Sequence, residues 1–476
     1  MTRLMIAGLG AALAGLTAGQ ALPVTFTKDV LPILQKNCQS CHRPGQAAPM
    51  SLITYPEARP WAKAIKTAVT ARKMPPWSAD PQYGHFTNDR SLKQAEIDTL
   101  VKWADTGAAE GDRKDAPAPI VWPSGGWAIQ PDVVMDMPAH EVPAKGVLEW
   151  ELIAFPAPFK TDTWVTSMEI LAGDPSVVHH ICFSFEKHKP TTVYNRYEWE
   201  QVPRDATGNP TPGNSGFGEL PGMIIATRDV GTTEVKLRQG HPTLRQNLDF
   251  CYLPGNTFED YRGWNAGKLV PAGSDIIVSL HFTTNGNAVV DRTKIGFTVA
   301  KTPPSKKFVV QGAGEDTPVI APTSASTRAV FSSAYNPEFA IPPNEGDYRA
   351  PPMEITFLKD VELVGLRPHA HVRGKSAQYR IVYPDGHEEV VLDVPHYDFN
   401  WQISYRTSLK IPKGSRMIFD FSYDNSANNK NNPDPNRWVY QGFQSWEEMM
   451  APNLGFLLDR DADVGSLMTI RDSRGE

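Results

Sequence analysis

The period of the hydrophobic pattern changes once along this chain, and that change limits what it can fold into. Up to about residue 112 apolar residues recur at helical spacing. Val30, Ile33 and Leu34 do so just before Cys38, Ala62 to Arg72 forms a second helical stretch, and Ile97, Leu100, Val101 and Trp103 form a third. Ser91 with Gln94 three positions on reads as a capping box opening the third, and Gly107 as its stop. Residues 113–130, with Ala116-Pro-Ala-Pro119 and Ser124-Gly-Gly126, have linker composition. Beyond them the period is two. Gly146–Phe155, Thr163–Leu171, Val177–Phe185, Asp275–Phe282 and Arg416–Tyr423 alternate as strands, and Ile381–Leu392 reads as a hairpin around Pro384-Asp-Gly386. Residues 203–218 and 254–268 are Gly/Pro/Asn-rich and read as long loops.

At 476 residues the chain exceeds one core, and a length prior suggests about three domains. A Pro/Ser/Thr/Ala-rich stretch at 301–350 marks a boundary between a β unit at 131–300 and another at 351–476. The composition, with 42 Pro, 36 Gly and only 21% charged residues, suits loop-rich β domains better than bundles. A net charge of −6, with no basic run carrying interleaved aromatics, excludes a nucleic-acid surface. Arg3, the apolar run Leu4–Gly19 and small residues before a cut after Ala21 have the layout of a secretory signal. No cysteine precedes Cys38, so no lipid attachment is expected, and no other run approaches membrane-spanning length. These features predict a periplasmic or secreted protein without stable membrane insertion. In such a compartment Cys182 and Cys251 could pair, and their separation neither supports nor forbids it.

Cys38-Gln-Ser-Cys41-His42 is the most specific local motif. Two thiols at this spacing can take both vinyl groups of a haem as thioethers, and the adjacent histidine supplies an iron ligand. A thioredoxin-type pair would want a surrounding βαβ pattern, and a zinc site a second ligand pair; neither is evident. Met74, in Arg72-Lys-Met-Pro-Pro-Trp77, is the favoured sixth ligand, with Met50 and His85 as competitors. A methionine opposite histidine raises the haem potential, as suits electron transfer. The 22–112 segment resembles the small c-type cytochrome modules found at the ends of exported bacterial enzymes.

Of 12 histidines, five stand in pairs or on predicted strands of the β half. His369 and His371 flank one residue, so on a strand they project from one face and offer half of a metal site. His179 and His180 are adjacent, and on a regular strand they face opposite ways; only a bulge or twist lets both hold one ion. His281 alone reads as a core or surface histidine. His85, His140, His188, His241, His387 and His396 read as solvated or capping.

The ordered set is more specific than its pieces. Asp162-Thr-Trp-Val165, Val177-Val-His-His180, His281-Phe-Thr-Thr-Asn-Gly286, Arg367-Pro-His-Ala-His371 and Glu447-Glu-Met449 resemble, in that order, the copper type II, ascorbate-dependent monooxygenases. The resemblance covers roughly 131–476. It implies two sandwiches, each with one copper, facing across a solvent cleft. His179, His180 and His281 would hold the electron-transfer copper. His369, His371 and Met449 would hold the oxygen-binding, catalytic copper, a soft donor set that stabilises Cu(I). Met449 rather than Met450 is chosen because it follows two acids. Arg367 matches a family contact to an anionic substrate, but Met450-Ala-Pro-Asn453 lacks the polar residues that follow the methionine there, and the animal enzymes' many disulfides are absent.

The expectation is therefore a small all-α cytochrome c domain followed by two all-β antiparallel, jelly-roll-like sandwiches. Its cofactors would be covalent haem c and two copper ions. It would act as a monooxygenase on a small-molecule or peptide-like substrate with O2, drawing electrons from a soluble redox protein or small reductant. A non-enzymatic haem and copper carrier or copper-storage protein is the first alternative, and a sugar- or polymer-binding sandwich the second.

Overall fold

The computed structural model describes residues 23–46, 48–122, 124–146, 148, 151–188, 196–199, 224–229, 235–239, 249–253, 255–312, 339–440, 445–464 and 467–471. The expected export signal at 1–21, the expected loop at 203–218, His241 and all of 313–338 lie outside them. Among the described residues no helix is long and apolar enough to cross a membrane.

The expected fold class needs correction at its N-terminal part. Strand far outweighs helix among the described residues, with no sizeable all-α cytochrome domain there. The helices are short: α1 Leu31–Asn37, α2 Tyr55–Ala58, α3 Ala62–Thr70 and α4 Gln94–Asp105. Proline at 32, 56, 60, 75 and 76 confines helix to brief runs. These helices share a small core of Phe26, Leu34, Leu100 and Trp103. α4 starts at Gln94, later than Ser91, because the Glu96 carboxylate accepts the Lys93 N–H at 2.8 Å. It ends where Gly107 takes φ +94°.

The stretch between α3 and α4 leaves the helices and clasps the β half. Trp77 and Phe86 pack on Tyr405 at 5.0 and 5.2 Å between ring centroids. The Asp80 N–H donates to Asp393 O, and the Thr87 N–H to Arg406 O, both at 2.8 Å. Asn88 accepts the Arg406 N–H and donates to Ser404 O. Glu388–Val394 and Tyr405–Ile411 are the end strands of their sheets, so this strap covers edges that would otherwise expose unpaired backbone.

The β half has two apolar cores and three large sheets. The nine-stranded sheet runs through both units, because Lys306–Gly312, in the expected boundary, pairs in parallel with Ala266–Val270 of the first and antiparallel with Ala451–Asp459 of the second. A seven-stranded sheet faces its first part and a six-stranded sheet belongs to the second unit. The first core includes Val165, Phe183, Ile276, Val278 and Phe297, together with Val364 and Leu457 from the second unit. The second includes Ile355, Phe357, Tyr379, Phe419 and Phe456. Residues 254–268, expected as a loop, instead contribute the strand Phe258–Asp260 and the start of Ala266–Val270.

Candidate metal centre

The twin histidines owe their geometry to a strand irregularity. Val178–Glu186 pairs antiparallel with Asp275–Phe282; His281 sits opposite His180, but the next pair is Phe282 with Val178. His179 is thus the extra residue of a β-bulge, which re-aims a side chain that regular alternation would send to the opposite face. The rings of His179, His180 and His281 stand 5.1–5.3 Å apart by centroid. One ligating nitrogen from each lies within 4.8 Å of the others.

Two nitrogens here, His179 Nε2 and His281 Nδ1, are buried without a hydrogen-bond partner. Each such atom costs about 1–3 kcal/mol; His179 Nδ1 and His180 Nδ1 stand 3.0 Å apart, and a metal ion held among the three rings would take up His281 Nδ1. Burial pushes His179 down to about 4 and His281 to about 3, and holds His180 well below the usual histidine range. All three are neutral near pH 7, the form that ligates. Two residues along the strand, Cys182 forms a disulfide with Cys251, directly opposite on Phe250–Tyr252.

The second pair is held by hydrogen bonds. His369 ends the strand Val361–His369 opposite Ala451, the residue after Met449-Met450. The His369 and His371 rings are 5.2 Å apart. His369 Nδ1 is 2.6 Å from Gln402 Oε1, and His371 Nδ1 is 3.3 Å from the Glu447 carbonyl. Both acceptors call for the proton on Nδ1, which leaves each Nε2 lone pair for a metal. Burial pushes His369 down to about 4 and His371 well below its ordinary value.

Glu448 joins ligand segments distant in sequence. Its Oε2 accepts the His371 N–H at 2.8 Å and the Met449 N–H at 3.1 Å, while Oε1 accepts the Arg373 N–H at 2.6 Å. Burial pushes its carboxyl up to about 7, against the pull of these bonds and of Arg373. Arg373 is itself buried, donating to Asn425 and to the Trp446 carbonyl. Met450 packs into the second apolar core. Met449, also buried, stands outside that core, and its carbonyl accepts the Tyr423 hydroxyl at 2.9 Å.

A solvent cleft between the two sets is not what the packing gives. Phe399 stacks on His179 at 4.8 Å and 29°, and meets His371 edge-on at 6.0 Å and 78°. The two histidines are no farther apart than those distances laid end to end. Arg367, expected beside an anionic substrate, lines a small cavity with Glu259 and Arg406, where its charge opposes the burial that raises Glu259. His140, expected to be solvated, is buried and stacked on Phe282 at 4.2 Å.

In the N-terminal motif, Cys38 caps α1 and its carbonyl accepts the Cys41 and His42 N–H groups at 3.1 and 2.9 Å. This turn gathers both free thiols beside His42. Burial pushes the Cys38 thiol up to about 12. His42 Nδ1 lies 3.2 Å from the Met50 carbonyl, which leaves Nε2 for an iron. Met74 is half-buried just past α3, and His85 is exposed on the strap. Burial raises the Tyr252 hydroxyl, and Arg90 donates to the Gly255 carbonyl at 3.0 Å. Tyr252 pairs with Ile181, the residue after His180.

Sequence reading missed Gln402, Phe399 and Arg373. Glu448 had one signal, its place before Met449.

No family model and no curated protein matches this chain. Solved structures similar over most of its length include three viral ones. The infectious bursal disease virus Gx strain structure is 10% identical, covers 74% of this chain and 78% of its own, and has a TM-score of 0.17. The T=1 particle derived from infectious bursal virus is 11% identical, with 72% and 73% coverage and a TM-score of 0.18. The spike protein P1 stem and receptor-binding domain of bacteriophage PM2 is 8% identical, with 70% and 99% coverage and a TM-score of 0.12. At these scores the likeness carries no argument.

Proposed function

We propose that this chain is an exported, periplasmic or secreted, copper-dependent monooxygenase resembling the copper type II, ascorbate-dependent family. The observation that carries the reading is the bulge bringing His179, His180 and His281 to one point, with unsatisfied nitrogens on His179 and His281, beside a second pair whose Nε2 atoms are left unengaged. Buried, neutral imidazoles with a thioether at Met449 form a donor set suited to a copper that cycles through Cu(I). When bound, the ions supply one-electron redox chemistry and the capacity to reduce O2. The chain's part is to orient the rings through Gln402 and the Glu447 carbonyl, to pin His371 and Met449 through Glu448, and to keep the centres dry. Hydroxylation of a C–H bond consumes O2, two electrons and two protons, giving the alcohol and water. Haem c on Cys38 and Cys41, with His42 and Met74 as axial ligands, would supply electrons tethered at high effective concentration.

A second reading, a non-enzymatic haem and copper carrier, draws on the burial of His179, His180, His281 and His371 and on the Phe399 ring between the sets. Purified full-length protein separates the two. The enzyme reading expects two coppers and one haem per chain, and reductant-driven uptake of labelled O2 with one labelled atom in product. Copper without O2 uptake favours the carrier, and absence of copper overturns both.

A further inference from the structure

The segment 395–404, between the strands Glu388–Val394 and Tyr405–Ile411, touches every residue of His369-Ala-His371 and also reaches across to the other unit. Gln402 accepts from His369 Nδ1 at 2.6 Å. The Tyr397 hydroxyl donates to the Ala370 carbonyl at 2.8 Å and accepts the Ala370 N–H at 3.1 Å. Phe399 lies edge-on to His371 and stacks on His179. Its ring is buried, yet it stands outside the apolar cores of both β units; the rings placed against it are histidines from the two candidate centres. The segment is itself anchored. The Tyr397 N–H donates to Lys375 O at 2.9 Å, and within the segment the Trp401 N–H closes a turn on Asp398 O at 2.9 Å. At its end, Tyr405 is gripped by Trp77 and Phe86 of the strap.

We propose that Phe399 is a positioning residue that sets the distance between the two metal centres, its ring being the shared surface on which His179 and His371 rest. A buried aromatic packed on aliphatic neighbours would contribute stability alone. One wedged between two ligand rings from different units fixes their spacing, because interiors are close-packed and moving either ring opens a void. Gln402 and Tyr397 on the same segment tie that spacing to the orientation of the second centre, so the segment acts as one gauge for both. The inference rests on the copper reading above.

The test compares Cu(II)-loaded full-length wild type with Phe399→Leu and Phe399→Ala, measuring copper per chain and the half-field electron paramagnetic resonance signal from metal–metal dipolar coupling. Leucine keeps most of the buried volume, so it serves if the alanine variant fails to fold. The expected result is two coppers in wild type and in Phe399→Leu, with the half-field signal several-fold weaker in the variant. Two coppers with an unchanged signal overturn the role of Phe399 and leave the copper reading standing. Fewer than two coppers in wild type overturn the copper reading, and the inference with it.

Discussion

The two histidine centres are built by opposite means. At the first, a bulge turns His179 beside His180 and His281; the Nδ1 atoms of His179 and His180 stand 3.0 Å apart, and His179 Nε2 and His281 Nδ1 are left buried without partners. At the second, each Nδ1 already has an acceptor, and Glu448 binds the backbone of His371 and Met449. The first is a site whose apo form carries an unpaid desolvation cost that a metal would relieve. The second is organised before any metal arrives. Metal binding should therefore stabilise the fold chiefly through the first centre, while the second should depend on its supporting hydrogen bonds.

The sharpest way to break this contrast is to remove ligands. His281→Ala should lose one copper per chain and abolish most copper-dependent stabilisation, whereas His371→Ala should lose the other copper and leave most of it, as read by metal content and thermal unfolding with and without copper. Equal loss of stabilisation from both would erase the distinction. Next in size, Glu448→Ala leaves three N–H groups without their acceptor and Arg373 without its carboxylate. It should cost about 3–5 kcal/mol in denaturant unfolding of the copper-free protein, an effect the first centre has no counterpart for.

The pH dependence is comparable over its window. His179, His281 and His369 are lowered when folded, so the unfolded chain binds more protons below its ordinary histidine value of about 6.5. Copper-free stability should accordingly fall as pH drops from about 6.5 to 4, by up to about 1.4 kcal/mol per unit for each histidine. A flat profile across this window would contradict burial of the neutral rings. The smallest effect is Gln402→Ala, which should weaken copper at the second centre about 10–100-fold and leave the first unchanged in a competitive chelator titration.

What the sequence made legible follows from the range of each signal. Period-two alternation is local, and the strands Thr163–Leu171, Val178–Glu186, Asp275–Phe282 and Arg416–Tyr423 lie where it runs. The need for a bulge at His179-His180 could be stated from alternation alone, but its location depends on the partner strand. Helical period at the N-terminus identified α3 and α4 but could not reveal that residues 77–90 abandon them for sheet edges, since that depends on Tyr405 and Arg406 far along the chain. Phe399 and Gln402 are single residues in an irregular segment; no spacing announces them, and only the fold brings them to His179, His371 and His369.

The most direct test of the central claim is X-ray absorption at the copper edge on Cu(I)-loaded protein, with copper counted in the same sample. The account expects two coppers per chain, ligated by imidazole nitrogen, with one sulfur scatterer that is lost in Met449→Ala and kept in Met450→Ala. Fewer than two coppers, or a sulfur shell that survives Met449→Ala, would contradict it.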